Sequence, residues 1–309
     1  MSVYNDIYLR QSLSQLDPAH DGGSTAPDIQ PWGLGTAPNP SALGVAPGWD
    51  QDLGVGLVPG AVNHVYVRAR NPSTTARGAQ LFVGRAAPAL LCWPDWLTAI
   101  PTGDGKPCAE LKIPATTVGV PQAGFVFTPD DPGEALAAWV YTAEHPLKLP
   151  KLTDVVALRE FIAGTPGYVQ RSVGFGIGTD NTYKYRGRYE QRDLAQSMVI
   201  EIAWRDAPVG WVVSLLPVGG GAGIRIDPVT IVAPLSSVMV QPALAAGYTD
   251  LLELVIDTKG IAPLAGTRVD VQVSMLVESP QGVPIPHDVN ASRLLRMGGH
   301  SWRTQPTPQ

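Results

Sequence analysis

Asn63-His64-Val65-Tyr66-Val67-Arg68-Ala69-Arg70-Asn71 decides the class of this chain. Val65, Val67 and Ala69 fall on one side of an extended backbone, and His64, Tyr66, Arg68 and Arg70 fall on the other. A period of two is the signature of a half-buried β-strand, because successive side chains leave a strand on opposite faces. Asn71-Pro72-Ser73 then ends it, since proline cannot donate to a ladder and Asn and Ser favour turns.

The same alternation recurs outward from this stretch. It predicts strands at 6–10, 79–83, 109–113, 124–127 and 137–142, with Trp139 and Tyr141 on one face of the last. After residue 197 it resumes at 198–204, 211–216, 228–233, 251–257 and 268–277. In the 268–277 strand Val269, Val271, Val273, Met275 and Val277 face one way and Arg268, Asp270, Gln272 and Ser274 the other. Thirty prolines and 33 glycines, without a collagen period or a low-complexity run, read as turns between many short strands. One helix interrupts them, running from Asp154 through Val155, Leu158 and Ile162 to a stop at Gly164, with Thr153 as its cap.

The pattern predicts an all-β protein of two immunoglobulin-like antiparallel β-sandwich domains, with one short helix and a proline/glycine-rich N-terminal arm. Residues 1–190 form the first domain, with the arm at 17–53 and the helix near 153–163. Residues 191–280 form the second, and 281–309 a turn-rich C-terminal extension, loose or docked on a partner. Trp32 and Trp49 predict an arm pinned across the body, because so large an apolar surface is rarely left in water.

The first half resembles a family of bacterial immunoglobulin-like β-sandwich modules of the CARDB type. The likeness rests on Asp6-Ile7-Tyr8-Leu9-Arg10, Pro27-Asp28-Ile29 and the 63–71 stretch, with departures at His64 and Ala69 and a long insertion between the last two blocks. The resemblance implies a β-sandwich and a non-catalytic module attached to exported or surface-acting machinery. It brings no catalytic residue.

Composition bounds the chemistry. With 309 residues, 44% hydrophobic and 16% charged, the chain is globular. Its net charge of −5 lacks the overall footprint of a nucleic-acid binder. The start of the chain shows no secretory leader, and no apolar run reaches the roughly 20 residues of a membrane helix. The expectation is a soluble chain, cytoplasmic until assembled or extracellular as part of a particle.

Cys92 and Cys108 leave two readings open, one bridge or two isolated thiols. The histidines at 20, 64, 145, 287 and 300 have no metal-ligand spacing, and no nucleophile elbow or zinc helix occurs. Gly219-Gly220-Gly221-Ala222-Gly223 is followed by β-like sequence rather than a helix, which makes it a loop and not a phosphate cradle. Asp130, Asp131 and Glu134 offer calcium-like oxygens, but Pro129 and Pro132-Gly133 make an acidic turn the simpler reading. No cofactor is expected.

Two stretches carry candidate ligand contacts. Tyr183, Lys184, Tyr185, Arg186, Arg188 and Tyr189 interleave aromatics with cations, a pattern that can stack on sugars or bases and pair with polyanions. Its plain alternative is a strand whose tyrosines pack and whose cations are solvated. Trp93 and Trp96 form either a sugar-stacking platform or loop anchors. The leading expectation is a non-catalytic structural or recognition component of a larger bacterial or phage-like assembly, meeting other proteins or its own copies. The alternative is a glycan- or ligand-binding module.

Overall fold

The computed structural model describes residues 4–18, 23–175, 178, 180–220, 223–276 and 294–304, and among them are twenty β-strands and one α-helix. The fold is all-β, as the alternation predicts. Every strand pairing is antiparallel except one.

In the N-terminal half, β1 (Ile29–Leu34), β2 (Asn63–Val67) and β8 (Phe125–Phe127) form one sheet in the order β1-β2-β8. A second sheet has the order β10 (Tyr168–Arg171), β9 (Ala135–Tyr141), β4 (Arg77–Ala86), β5 (Thr98–Ile100), with β6 (Ala109–Ile113) also on β4. Ile29, Val65, Val67 and Phe125 of the first sheet meet Leu81, Val83, Ala138, Val140 and Val169 of the second in a closed apolar layer. β3 (Ala69–Arg70) pairs with β7 (Val118–Gly119) beside them.

In the C-terminal half a six-stranded sheet contains β11 (Val173–Phe175), β20 (Leu294–Arg303), β19 (Arg268–Leu276), β13 (Gln196–Arg205) and β16 (Leu235–Val240) in that order, with β17 (Ala243–Leu244) on β13. The β11–β20 pair is the parallel one. The facing sheet runs β12 (Thr182–Glu190), β18 (Thr249–Asp257), β14 (Val212–Pro217), β15 (Ile226–Thr230). Ile200, Ile202, Val269, Val271 and Val273 on one side pack against Val213, Leu215, Leu252, Leu254 and Ile256 on the other. The inward sets follow the predicted period of two.

Several expectations are corrected. The 63–71 stretch is not half-buried: Val65 and Val67 are enclosed, and so are Tyr66 and Arg68 on the opposite face. The reason is the arm. Ala37, Leu43, Trp32 and Leu53 fold over Tyr66, and the backbone at Gly48 and Gln51 accepts from Arg68 Nη1 at 2.7 and 2.9 Å. The 6–10 segment forms no strand, only a single bridge between Tyr8 and Arg70. The helix, α1 (Val155–Gly164), is capped by Asp154 rather than Thr153: Asp154 Oδ1 accepts from Val156 N at 3.0 Å and Ala157 N at 2.9 Å. Its buried face, Val155, Leu158 and Ile162, joins the larger, C-terminal core.

The expected boundary at 190 and the expected extension from 281 both cut through one sandwich. β12 is hydrogen-bonded to β18 along its whole length, from Thr182 opposite Asp257 to Glu190 opposite Thr249. Leu294–Arg303 is an interior strand of the six-stranded sheet, not a loose tail. Glycines at 298 and 299 disguise it in sequence. A β-carbon at Gly298 would stand 2.1 Å from the Leu90 carbonyl oxygen, so the strand needs that bare position. The tail residues 281–293 and 305–309, the histidine at 20, Val277 and Gly221-Ala222 lie outside the described residues.

Two buried carboxylates tie the arm down. Asp28 takes Arg10 Nη2 at 2.9 Å and Arg68 Nε at 3.2 Å. Asp52 takes Arg171 Nη1 at 3.0 Å and Arg303 Nη1 at 2.5 Å. Trp49 is pinned as expected, with the Arg10 guanidinium 3.1 Å from its ring centroid.

Candidate functional site

β12 sorts its candidate residues by face. Tyr185 and Tyr189 are enclosed, Tyr183 is half-buried, and Lys184, Arg186 and Arg188 point to solvent. The tyrosines are therefore core residues. Tyr185 donates to the Ala89 carbonyl at 3.1 Å, and Tyr189 to Gln191 Oε1. Burial raises all three phenols above their ordinary range. As ligand contacts Tyr185 and Tyr189 are corrected, because the strand period turns them inward. Trp93 is likewise enclosed.

What remains is an exposed surface that two distant stretches build together. Leu90 N donates to the Arg188 carbonyl and Arg188 N to the Pro88 carbonyl, both at 2.9 Å, which lashes the 88–96 loop along β12. A 3-10 turn at Pro94–Trp96 then sets half-buried Trp96 beneath Arg188, whose guanidinium carbon is 5.0 Å from the ring centroid. Arg192 stands over Trp93 at 3.9 Å, binds Asp95 at 2.8 and 2.9 Å, and reaches Glu190 at 3.2 Å. Its backbone has φ +57°, a conformation uncommon outside glycine, which turns the chain out of β12 and aims the side chain back at the loop. Arg192 lies past the end of the alternating run, so strand periodicity gives no sign of its role. Trp96, Arg188, Arg192, Asp95, Glu190 and Lys151 border an open depression of about 660 Å³. Its mixed charges and one aromatic plane can hydrogen-bond a polar ligand and stack against it. Lys184 and Arg186 do not border it, and Arg186 pairs with Glu253 at 2.6 Å.

Among the described residues, the groupings that resemble nucleophiles or metal ligands already have partners within the protein. Ser172 Oγ lies 2.8 Å from His300 Nδ1, and Tyr183 Oη 2.7 Å from Nε2. Burial pushes His300 down to about 3, so the ring is neutral and one nitrogen donates while the other accepts. It stacks on Tyr185 at 3.5 Å in the core. Cys92 and Cys108 are free and buried, and burial pushes the Cys92 thiol up to about 12, far from nucleophilic. Asp6, Glu144 and His145 place three ligand-type atoms within 4.8 Å of one another and could hold a metal ion. Each already has a protein partner: Asp6 binds Thr142 and His145, and Glu144 pairs with Arg77. Glu134 accepts from Asp130 N at 2.7 Å and binds Arg85 at 3.1 Å, the acidic turn rather than a calcium loop.

No family model and no curated protein matches this chain. Among solved structures it is similar to the CupB6 tip adhesin from Pseudomonas aeruginosa, at 10% identity and TM-score 0.18, over 79% of this chain and 88% of that one. It is also similar to CfaE, the adhesive subunit of CFA/I fimbria of enterotoxigenic Escherichia coli, at 7% identity and TM-score 0.21, over 98% and 94%. At such scores these likenesses carry no argument about activity or partners. No helix among the described residues is long and apolar enough to cross a membrane.

Proposed function

We propose that this chain is a non-catalytic recognition component that works by contact inside a larger bacterial or phage-like assembly, and that β16 is the contact edge. One observation carries the reading. β15 and β16 are neighbouring edge strands, one in each sheet of the C-terminal sandwich, and only one is guarded. β15 carries Asp227, paired with Arg225 at 2.6 Å, and Pro228. β16 is Leu235-Ser236-Ser237-Val238-Met239-Val240, with neither charge nor proline, and Leu235 and Met239 are 68% and 53% exposed. Exposed Val232 extends the apolar surface at its start. An uncharged apolar edge is a template for another chain's strand, and proteins that stay alone blunt such edges. The occupant we assign is an extended strand of a second protein, adding main-chain bonds to β16.

Negative-stain microscopy and light scattering on the chain isolated natively from its source cells test the reading. The wild type is expected in a particle larger than a monomer. Leu235→Lys with Met239→Lys is expected to leave the particle while keeping its unfolding midpoint. A wild type that is monodisperse and never joins a larger species would sink the proposal.

A second reading rests on the Trp96 depression, where an aromatic plane and two arginines converge from separate stretches. It makes the chain a binder of acidic glycans. Glycan-array binding that vanishes in Trp96→Ala, with folding intact, would favour it over the first reading.

A further inference from the structure

The arm and the last strand meet around an imbalance of charge. Arg10 and Arg68 share Asp28, and Arg171 and Arg303 share Asp52. The two centres are neighbours, since Asp52 and Arg171 both act electrostatically on Arg68. Four guanidinium groups thus stand against two carboxylates, with Arg10, Arg68 and Arg171 each no more than 2% exposed. A surplus of buried positive charge is unfavourable unless something anionic meets it.

The surplus is localised. Arg68 is used up on Asp28 and on the carbonyls of Gly48, Gln51 and Pro27. Arg171 is not. Its Nη1 holds Asp52 and the Ala26 carbonyl, while Nε and Nη2 are buried without a hydrogen-bond partner. Nη2 lies against Gly54, where a β-carbon would stand 2.5 Å from it. Gly54 and Asp52, with Phe175, Arg268, Arg303 and Thr304, line a solvent-open cavity of about 530 Å³. Arg303 gives Nη1 to Asp52 and Nε to Ser301 Oγ at 3.2 Å. Arg268 gives Nε to Asp270 at 2.6 Å and is one-third exposed. Two arginines, Arg268 and Arg303, and one aspartate, Asp52, line the cavity itself, and Asp52 is already neutralised from behind by Arg171.

We propose that this cavity binds an oxyanion, the carboxylate, sulfate or phosphate group of an acidic ligand, held between Arg268 and Arg303 and drawn in by the unsatisfied Arg171 behind Gly54. Guanidinium forks suit planar or tetrahedral oxyanions because two N–H groups meet two oxygens at once. The site is separate from the β16 edge and stands whether or not that edge binds a partner.

Calorimetric titration of the full chain with sodium sulfate, inorganic phosphate and acetate, at ionic strength held constant with chloride, tests it. At least one of the three is expected to bind saturably, and which one identifies the ligand group. Arg303→Gln should weaken that binding about tenfold or more, the loss of one charge-assisted contact. Arg268→Gln should do the same. It removes a part-exposed group outside the Asp52 pairing, so it keeps the test valid if Arg303→Gln fails to fold. Arg186→Gln on β12 should leave binding unchanged. Absence of saturable binding by all three anions would overturn the proposal. So would equal responses of wild type and Arg268→Gln, since generic exclusion of sulfate or phosphate from the surface acts on both alike.

Discussion

Asp28 and Asp52 each hold two arginines, yet they sit in different kinds of place. Asp28 is sealed. Its partners Arg10 and Arg68 belong to the N-terminal half, and Arg10 Nη2 and both terminal nitrogens of Arg68 also donate to carbonyls of Trp49, Gly48, Gln51 and Pro27. Asp52 is a joint. It comes from the arm, Arg171 from β10 and Arg303 from β20, so one carboxylate connects the arm to both sandwiches at the rim of an open cavity. The same residue types make a saturated staple in one case and an unsaturated, solvent-reachable centre in the other. The difference teaches that a buried ion pair is read by what its leftover donors do, not by its presence.

The largest expected effect comes from the staple. Asp28→Asn strands Arg10 and Arg68 without water or a counter-charge and should lower stability by about 3–5 kcal/mol, read from urea midpoints. Asp52→Asn should lose less, about 1–3 kcal/mol, because the cavity lets water reach Arg303. Equal losses would erase the distinction.

Acid sharpens it next. Burial alone would raise the Asp52 carboxyl, but Arg171 and Arg303 beside it outweigh burial and hold it below the usual carboxylate range. Its stabilisation is therefore full above the unfolded value of about 3.9 and is lost as pH falls through the lowered folded value. Wild type minus Asp52→Asn should shrink below about pH 4 in thermal scans, and a difference that grows with acid would contradict this.

Gly54→Ala tests the space behind the joint. Its β-carbon meets Arg171 Nη2 and the Pro31 ring, so it should cost about 1–3 kcal/mol and weaken oxyanion binding in the same titration. The smallest effect belongs to Trp49→Phe, which keeps an aromatic face for Arg10 and should cost about 1 kcal/mol or less. A larger loss would mean that the indole, rather than Asp28, fastens the arm.

The strand alternation was legible wherever one face meets a core and the other meets water. It located β6 outright and placed β13, β18 and β19 to within a few residues. It misled at 63–71, where polar Tyr66 and Arg68 read as a solvent face but are roofed by the arm. It also passed over β20, whose paired glycines carry no hydrophobic period. The candidate site was half legible. Trp96 and Arg188 were both singled out, but nothing in either stretch shows that one lies over the other. Arg192 was missed because its role depends on a left-handed backbone turn, not on strand period.

Local grammar therefore determined the β class, most strands and the inward side chains of both sandwiches, because a period of two needs only neighbours in sequence. Tertiary structure alone decided which carboxylate meets which arginine, which edge stays bare and which guanidinium is left unsatisfied. Those outcomes depend on contacts between residues far apart in the chain, such as Asp52 with Arg303, and short-range pattern carries no record of them.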